Sequence, residues 1–559
     1  MTDIQRKNCI GALEKTAGVM AIVFVFAIAL VFFVPLAASF FPQLAGVKQT
    51  VSLFAKQLSS GERFLHSLKI TLFTLKIALG STLVAFSVGF PAAFFTARRS
   101  FWGRKFLLGL STVPLSIPVL IAALGYVSIF GLSGFLNSLS INIFGSELKI
   151  YKILYSQWGI MIAQGFYNFP LVMSIVGNAW QNLPEDEEYA ARILGANPVK
   201  VFFSVTLPKL IPSLASSIIP VFLFCFFSFM MVLLFSAPGT STLEVEIYQA
   251  VKNTLDLKTA SSLAVLETTT AFAIVILYSV VTGSRFKQEG GMQNYNKEQP
   301  SLCNGSFETT GTKIIEAVCF GILILLIFIF FILPLLGIVF SGFTFRVNGE
   351  FVPGINQYKT LFLSSKFWKS LGTTICISTL TGLLCTVFSF TLASLVRLYN
   401  FNKFFHLVSL LPMAVSSIVM GWGITLVFGR SSWIVLVLVQ TALFWPLGYR
   451  QIQAQLDTLE TSVVNASKIL SNGNMDVALR IFLPYCSRSL FSCFAFCFAF
   501  SAGDTSFPLI LSIPDFSTLS LYTYRLAGSY RFQTSCASGT ILAIICYTVF
   551  SLSQIRRKK

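Results

Sequence analysis

The sequence is short of charge. Only 11% of its 559 residues are Asp, Glu, Lys or Arg, less than half of the roughly 25% usual in soluble domains. Acid is scarcer than base, 22 against 40, which leaves a net charge of +18. The chain is instead 55% hydrophobic with 58 Phe, more apolar surface than a water-soluble fold of this size can hide and too aromatic for disorder. Histidine is nearly missing (His66 and His406), which excludes a His-rich metal site. The 11 Cys include no CxxC pair and fall mostly in apolar runs, among them Cys225, Cys319, Cys376, Cys385 and Cys546, so they read as small hydrophobes rather than a disulfide or zinc framework. No GxxxxGK[ST] is present, so the chain has no phosphate cradle and no ATP site of its own. A basic stripe interleaved with aromatics is also missing, which argues against nucleic acid. The excess of Lys and Arg fits spans flanked by base on the cytoplasmic side, next to anionic lipid.

What the chain has is long apolar runs. About 20 such residues cross a bilayer as a helix. Runs without charge cover 17–47, 77–97, 106–146, 153–184, 210–243, 317–345, 370–396, 407–429, 431–449 and 532–555. Two more, 263–283 and 489–513, each carry one acid, Glu267 and Asp504. The expectation is an all-α polytopic membrane protein of about twelve spans; ten-residue alternating segments, the mark of a β-barrel, are not seen. The Gly- and Asn-rich stretch 131–146 is too polar for lipid and is expected as an outer loop. The Lys/Arg bias, sharpest at Arg98, Arg99, Arg104 and Lys105 and at 556–559, places both termini in the cytoplasm.

The chain repeats itself at a spacing of 276. Gln164 meets Gln440, Pro170 meets Pro446, Leu207 and Pro208 meet Leu483 and Pro484, Ser241-Thr242-Leu243 meets Ser517-Thr518-Leu519, and Tyr248 meets Tyr524. Six spans per half gives two parallel halves, 1–283 and 314–559, joined by a polar cytoplasmic linker over 284–313.

Each half holds one hydrophilic elbow, at 184–208 and 457–484. In the first, acids at 185–188 suit a helix N-terminus, Gly195 permits the left-handed residue that ends a helix, and Asn197 with Pro198 begins the next. In the second, Ser471 stands in place of Gly195, and Gly473 between two Asn is expected to make the same turn.

These elbows resemble the Glu-Ala-Ala…Gly…Ile-x-Leu-Pro loop of bacterial ABC importer permeases. Glu188, Tyr189, Ala190, Ala191, Gly195, Ala196, Leu207 and Pro208 match the first copy, with Tyr189 in place of Glu. Asn465, Ala466, Ser467, Ser471, Gly473, Leu483 and Pro484 occupy the second, which departs at Asn465, Ser467 and Ser471. The resemblance implies the type I importer fold and elbows that dock into two copies of an ATPase subunit. ATP and Mg would sit on that partner; no cofactor is expected on this chain. It also implies a separate extracytoplasmic solute-binding protein and residence in the bacterial cytoplasmic (inner) membrane.

The outer segments at 236–250 and 501–531 resemble fused permeases for thiamine or its pyrophosphate and those for ferric iron; the Gly-Ser-Tyr-Arg end at 528–531 leans to thiamine. Polyamine or another small solute is a further alternative, and a twelve-helix secondary transporter the competing class. Asp504, within the eleventh span, either faces a wet path with Tyr248 and Tyr524, where it would attract a cationic solute, or acts as packing glue. Glu267, about one turn into its span, is expected to reach the interface. Lys69 and Lys76 are expected to snorkel. Gly and Pro at Pro114, Pro118, Gly125, Pro412, Gly421 and Gly423 either loosen the third and ninth spans or let them pack closely.

Overall fold

The structure, a computed structural model, describes residues 25–40, 61–144, 151–236, 240–283, 310–347, 350–399, 411–429, 432–471 and 473–555. The linker as far as 309, both chain ends and Pro238 lie outside the described residues.

Helices dominate. In the first half they are α1 (Val25–Phe40), α2 (Gly61–Arg98), α3 (Val119–Phe130), α4 (Phe135–Phe144), α5 (Gln157–Gln181), α6 (Asp186–Ile193), α7 (Leu207–Phe226), α8 (Phe229–Phe235), α9 (Leu243–Lys252) and α10 (Leu257–Gly283). The second half runs α11 (Ile314–Gly342), a hairpin of β1 (Thr344–Val347) and β2 (Glu350–Pro353), α12 (Ser365–Tyr399), α13 (Ser417–Phe428), α14 (Trp433–Asp457), α15 (Thr461–Leu470), α16 (Ser487–Gly503), α17 (Ser506–Leu511), α18 (Leu519–Gly528) and α19 (Phe532–Ile555).

Each of the twelve expected spans contains an apolar helix. Among the described residues nine are long enough to cross a bilayer and a tenth is a pair bent by 76°. The other two, α1 and α13, are shorter. One of the nine, Val119–Ile141, runs through α3 into α4; α13 is short because it starts only at a Ser416 cap after Pro412, so its apolar run is not helical throughout. Three expectations are corrected. The stretch after Gly131 is not an irregular loop but contains α4, whose Asn137 and Ser140 are buried. The run 210–243 is not one span: it breaks at Phe227 and Ser228. The run 489–513 likewise breaks at Asp504 and Thr505. After each break a short helix continues, and α9 or α18 then begins on a fully buried leucine, Leu243 or Leu519. Their first residues are held alike, Leu243 N–H by Thr74 Oγ1 at 3.0 Å and Leu519 N–H by Thr374 Oγ1 at 2.6 Å.

The halves exchange their first helices. A Cβ on Gly125 of α3 would meet the Pro334 carbonyl of α11 at 2.3 Å, and one on Gly423 of α13 would meet the Pro35 carbonyl of α1 at 1.9 Å. Only glycine permits so close a backbone approach. α3 therefore packs on the second half's first helix and α13 on the first half's. Arg99, at the end of the chain's second span, adds a bidentate ion pair to Glu316 of α11, with Nη2 at 2.9 Å.

Prolines leave a common signature. At Leu207 and Pro208, Leu333 and Pro334, and Leu483 and Pro484, the preceding five residues wind as a π-turn: Phe202–Thr206, Phe328–Ile332 and Ala478–Phe482. Proline lacks the N–H that an α-helix would use and its ring crowds the carbonyl one turn back, so the turn widens instead of breaking.

Candidate functional site

In the first elbow the sequence logic is realised residue by residue. α6 starts on its acids, Gly195 takes φ +85°, and the Asn197 side chain accepts from Lys200 N–H at 2.8 Å ahead of Pro198. The acids do more than favour the helix dipole. Arg98 at the end of α2 donates to Glu185 at 2.6 Å and Glu188 at 3.0 Å, and Thr206 donates to Glu188 at 2.9 Å. Lys209 pairs with Glu187. The elbow is thus clamped to α2 and α7 by its polar residues, and its apolar residues are left outward. Ile193 is 85% and Leu194 88% exposed, and Tyr189, Val199 and Phe203 are exposed beside them. Ala190 and Gly195 are exposed, Ala191 and Ala196 half-buried. Leu207 is half-buried and Pro208 exposed at the start of α7.

The second elbow presents the same face at the same spacing. Ile469 is 83% and Leu470 86% exposed, with Met475 and Leu479 where the first half has Val199 and Phe203. Asn465, Ala466, Leu483 and Pro484 are exposed, whereas Ser467 is buried, its hydroxyl donating to the Val464 carbonyl. The turn is not the same, which corrects the expectation. Ser471 is extended (φ −89°, ψ 159°), and Gly473 sits at the cap position matching Asn197 with φ 140° and ψ −178°. The scaffold also differs: Arg397, near the end of α12, donates to the Leu459 carbonyl at 2.6 Å, and Lys468 to the Leu398 carbonyl at 2.8 Å. Ile193 and Leu194, with Tyr189 and Ala190, form an apolar helical face legible in the sequence, and the Ile-Leu pair recurs at the 276 spacing as Ile469 and Leu470.

The other candidates lie at the far end of α7 and α16. Tyr248 and Tyr524, both half-buried, come within electrostatic reach of each other across the seam between the halves. Lys252 crosses the same seam to Ser512 Oγ at 2.9 Å. Asp504 lies at the break after α16 and not inside a continuous span. One carboxylate oxygen accepts from Gln440 Nε2 at 3.0 Å; the other caps α17 through Ser506 N–H at 3.0 Å. Its polar capacity is used in holding four helices, since Gln440 Oε1 in turn accepts from Ser501 at 2.7 Å and Thr381 at 3.2 Å. Glu267 corrects the sequence reading in the other direction. α10 begins at Leu257, because Asp256 accepts from Thr259 Oγ1 at 2.7 Å and from Thr259 N–H at 3.2 Å. That puts Glu267 ten residues from each end of the Leu257–Leu277 span, 1% exposed and away from the interface.

Comparison with known proteins adds to this geometry. Residues 89–286 match the family described as the inner membrane component of binding-protein-dependent transport systems. The chain is 27% identical over 477 residues to the thiamine transport system permease protein of Escherichia coli, covering 81% of this chain and 82% of that protein. It is 26% identical over 498 residues to the Haemophilus influenzae protein of that name, covering 86% and 87%. The ferric transport system permease protein of Actinobacillus pleuropneumoniae is 24% identical over 492 residues, covering 86% of this chain and 67% of its own length.

Proposed function

Because this chain belongs to the inner-membrane permeases of binding-protein-dependent ABC importers, as a fused two-fold member, we propose that it carries thiamine or thiamine pyrophosphate into the cytoplasm. An extracytoplasmic binding protein delivers the solute, and two copies of an ATPase subunit, holding ATP and Mg, dock on the two elbows. Both termini then lie in the cytoplasm. The observation that carries the reading is the pair of outward Ile-Leu tips on 193/194 and 469/470, fixed by the fold and left uncovered by it. Burying one such side chain is worth about 1.5–3 kcal/mol, so two tips supply a strong apolar anchor in each half.

The mechanism follows from what each elbow is tied to. Glu185 and Glu188 join the first tip to the end of α2, and the π-turn joins it to α7. The second tip is joined to α12 through Lys468 and to α16 through its own π-turn. Drawing the two tips together when the ATPase closes on ATP moves these helices as levers and shifts the balance between outward- and inward-open states; the energy enters as differential binding to the two. The chain itself performs no covalent chemistry.

The test is reconstitution of the chain with its ATPase and binding protein in liposomes. Thiamine uptake should need ATP and the binding protein, and uptake driven by an ion gradient alone would overturn the reading. The resemblance to the ferric permease favours ferric iron as the second substrate to assay.

A further inference from the structure

Buried acids in the two halves are treated in opposite ways. At spacing 276, Asp504 corresponds to Ser228 and Ser520 to Glu244, so the acid changes place between two facing positions. In the second half the acid is bonded to Gln440 and a helix N-terminus, and Ser520 Oγ donates to the Asp504 carbonyl at 2.7 Å. In the first half Gln164 has no acid opposite, and its Nε2 is buried without a partner. Glu244, at the start of α9, lies instead within Coulombic range of Glu267. They are 2% and 1% exposed. Oε2 of Glu244 and both oxygens of Glu267 are buried with no hydrogen-bond partner.

A carboxylate at mid-membrane costs about 2.5–3.5 kcal/mol even on insertion scales, and one hydroxyl placed between two carboxylates offsets little of that for the pair. Asp504 shows how this fold satisfies an acid it uses for packing; the pair at 244 and 267 is not built that way. It is also at the seam: the Ser416 hydroxyl of the second half stands beside both carboxylates. Tyr248 follows Glu244 by one helical turn on α9, and positions four apart share a helix face. Its ring packs edge-on to Phe229 at 5.3 Å, and Tyr524 approaches it from the other half. Aromatic faces leading to two carboxylates suit a cation.

We propose that Glu244 and Glu267 form a cation-accepting station between the halves, where the permease itself takes hold of a positively charged solute in transit. The proposal rests on the importer reading above but not on thiamine as the solute.

The test uses the permease–ATPase assembly in lipid nanodiscs and dicyclohexylcarbodiimide, which modifies carboxyl groups in apolar surroundings. Modification of Glu244 and Glu267 is followed by peptide mass spectrometry. The additions are thiamine, spermidine, ferric ion, or thiochrome, the uncharged oxidation product of thiamine. Thiamine at ten times its dissociation constant should slow modification about tenfold, thiochrome should not, and E244Q should remove the protection at Glu267. ATPase co-purification checks that E244Q is assembled, and the unaltered chain supplies the protection data if it is not. Protection by spermidine or ferric ion without thiamine keeps the station and overturns thiamine as the solute. No modification at all, no protection by any cation, or equal protection by thiochrome overturns the station.

Discussion

The two halves share a repeat, a set of helix crossings and a pair of exposed apolar tips, and differ in how they hold them. The first half clamps its elbow with ion pairs, Arg98 to Glu185 and Glu188; the second uses base-to-carbonyl bonds from Arg397 and Lys468. The first runs unbent from Pro198 to Phe226, whereas the second bends by 76° at Cys486. The first leaves three carboxylate oxygens, of Glu244 and Glu267, and the Gln164 amide nitrogen without a hydrogen-bond partner; the second bonds Gln440 and Asp504 to each other. The exposed Ile-Leu tips are kept alike while the bonds that hold them have diverged, so the tips mark the work that both halves are proposed to do together.

The strongest way to break the comparison is at the tips. I193D with L194D, and separately I469D with L470D, places charge where an apolar anchor is proposed. Either double variant should cut ATPase co-purification and uptake by more than about tenfold, since losing two buried aliphatic side chains removes at least 3 kcal/mol. If only one pair matters, the halves are not equivalent levers.

Next comes the glutamine at the same repeat position. Q440L strips Asp504, Ser501 and Thr381 of a shared partner and should lower stability by about 2–3 kcal/mol, read as a lower melting temperature of the purified assembly in detergent. Q164L should be close to neutral. It removes an unpartnered amide, and Ser81, its one partner, still donates to the Ile77 carbonyl at 2.7 Å. Equal losses from the two would show that the first half's interior is as fully bonded as the second's.

The halves' arginines give a smaller contrast. R98A leaves Glu185 and Glu188 without their clamp, a loss of about 2 kcal/mol once partial exposure of the acids is allowed for. R397A loses one bond to a carbonyl, about 1 kcal/mol. Protease sensitivity of each elbow reports which has loosened, and only the R98A effect should resemble that of high salt on the unaltered chain.

Much of this was legible in the residues, because a repeat and a hydropathy pattern are properties of the chain itself. Apolar runs marked a helix in each expected span; Gly195, Asn197 and Pro198 marked the first turn to the residue. What escaped depended on partners distant in sequence. Nothing local marks Glu267 as mid-membrane, since its depth is set by Asp256 eleven positions earlier starting the helix. Asp504 reads as a charge inside a span until Gln440 and the N–H of Ser506 are seen beside it. The exchange of first helices is written only as Gly125 and Gly423, which have meaning once Pro334 and Pro35 lie against them.

The finest contrast is between the two elbow glycines, and it separates turn geometry from docking. Gly195 at φ +85° is a left-handed residue with nothing within 4 Å of an added Cβ, so G195A should cost about 1 kcal/mol. Gly473 at φ 140° and ψ −178° occupies backbone space that is essentially glycine's alone, and G473A should cost about 1–2 kcal/mol. Because both loops are exposed, the loss falls on the population of docking-competent turns and not on the bundle. ATPase affinity should drop about fivefold for G195A and somewhat further for G473A, with the melting temperature unchanged. S471G should change neither, since Ser471 is extended with negative φ and gains nothing from the freedom of glycine. A larger effect from G195A than from G473A would mean that the second turn rearranges on docking into the shape of the first, and the two elbows would then be alike in the bound state though different in the free one.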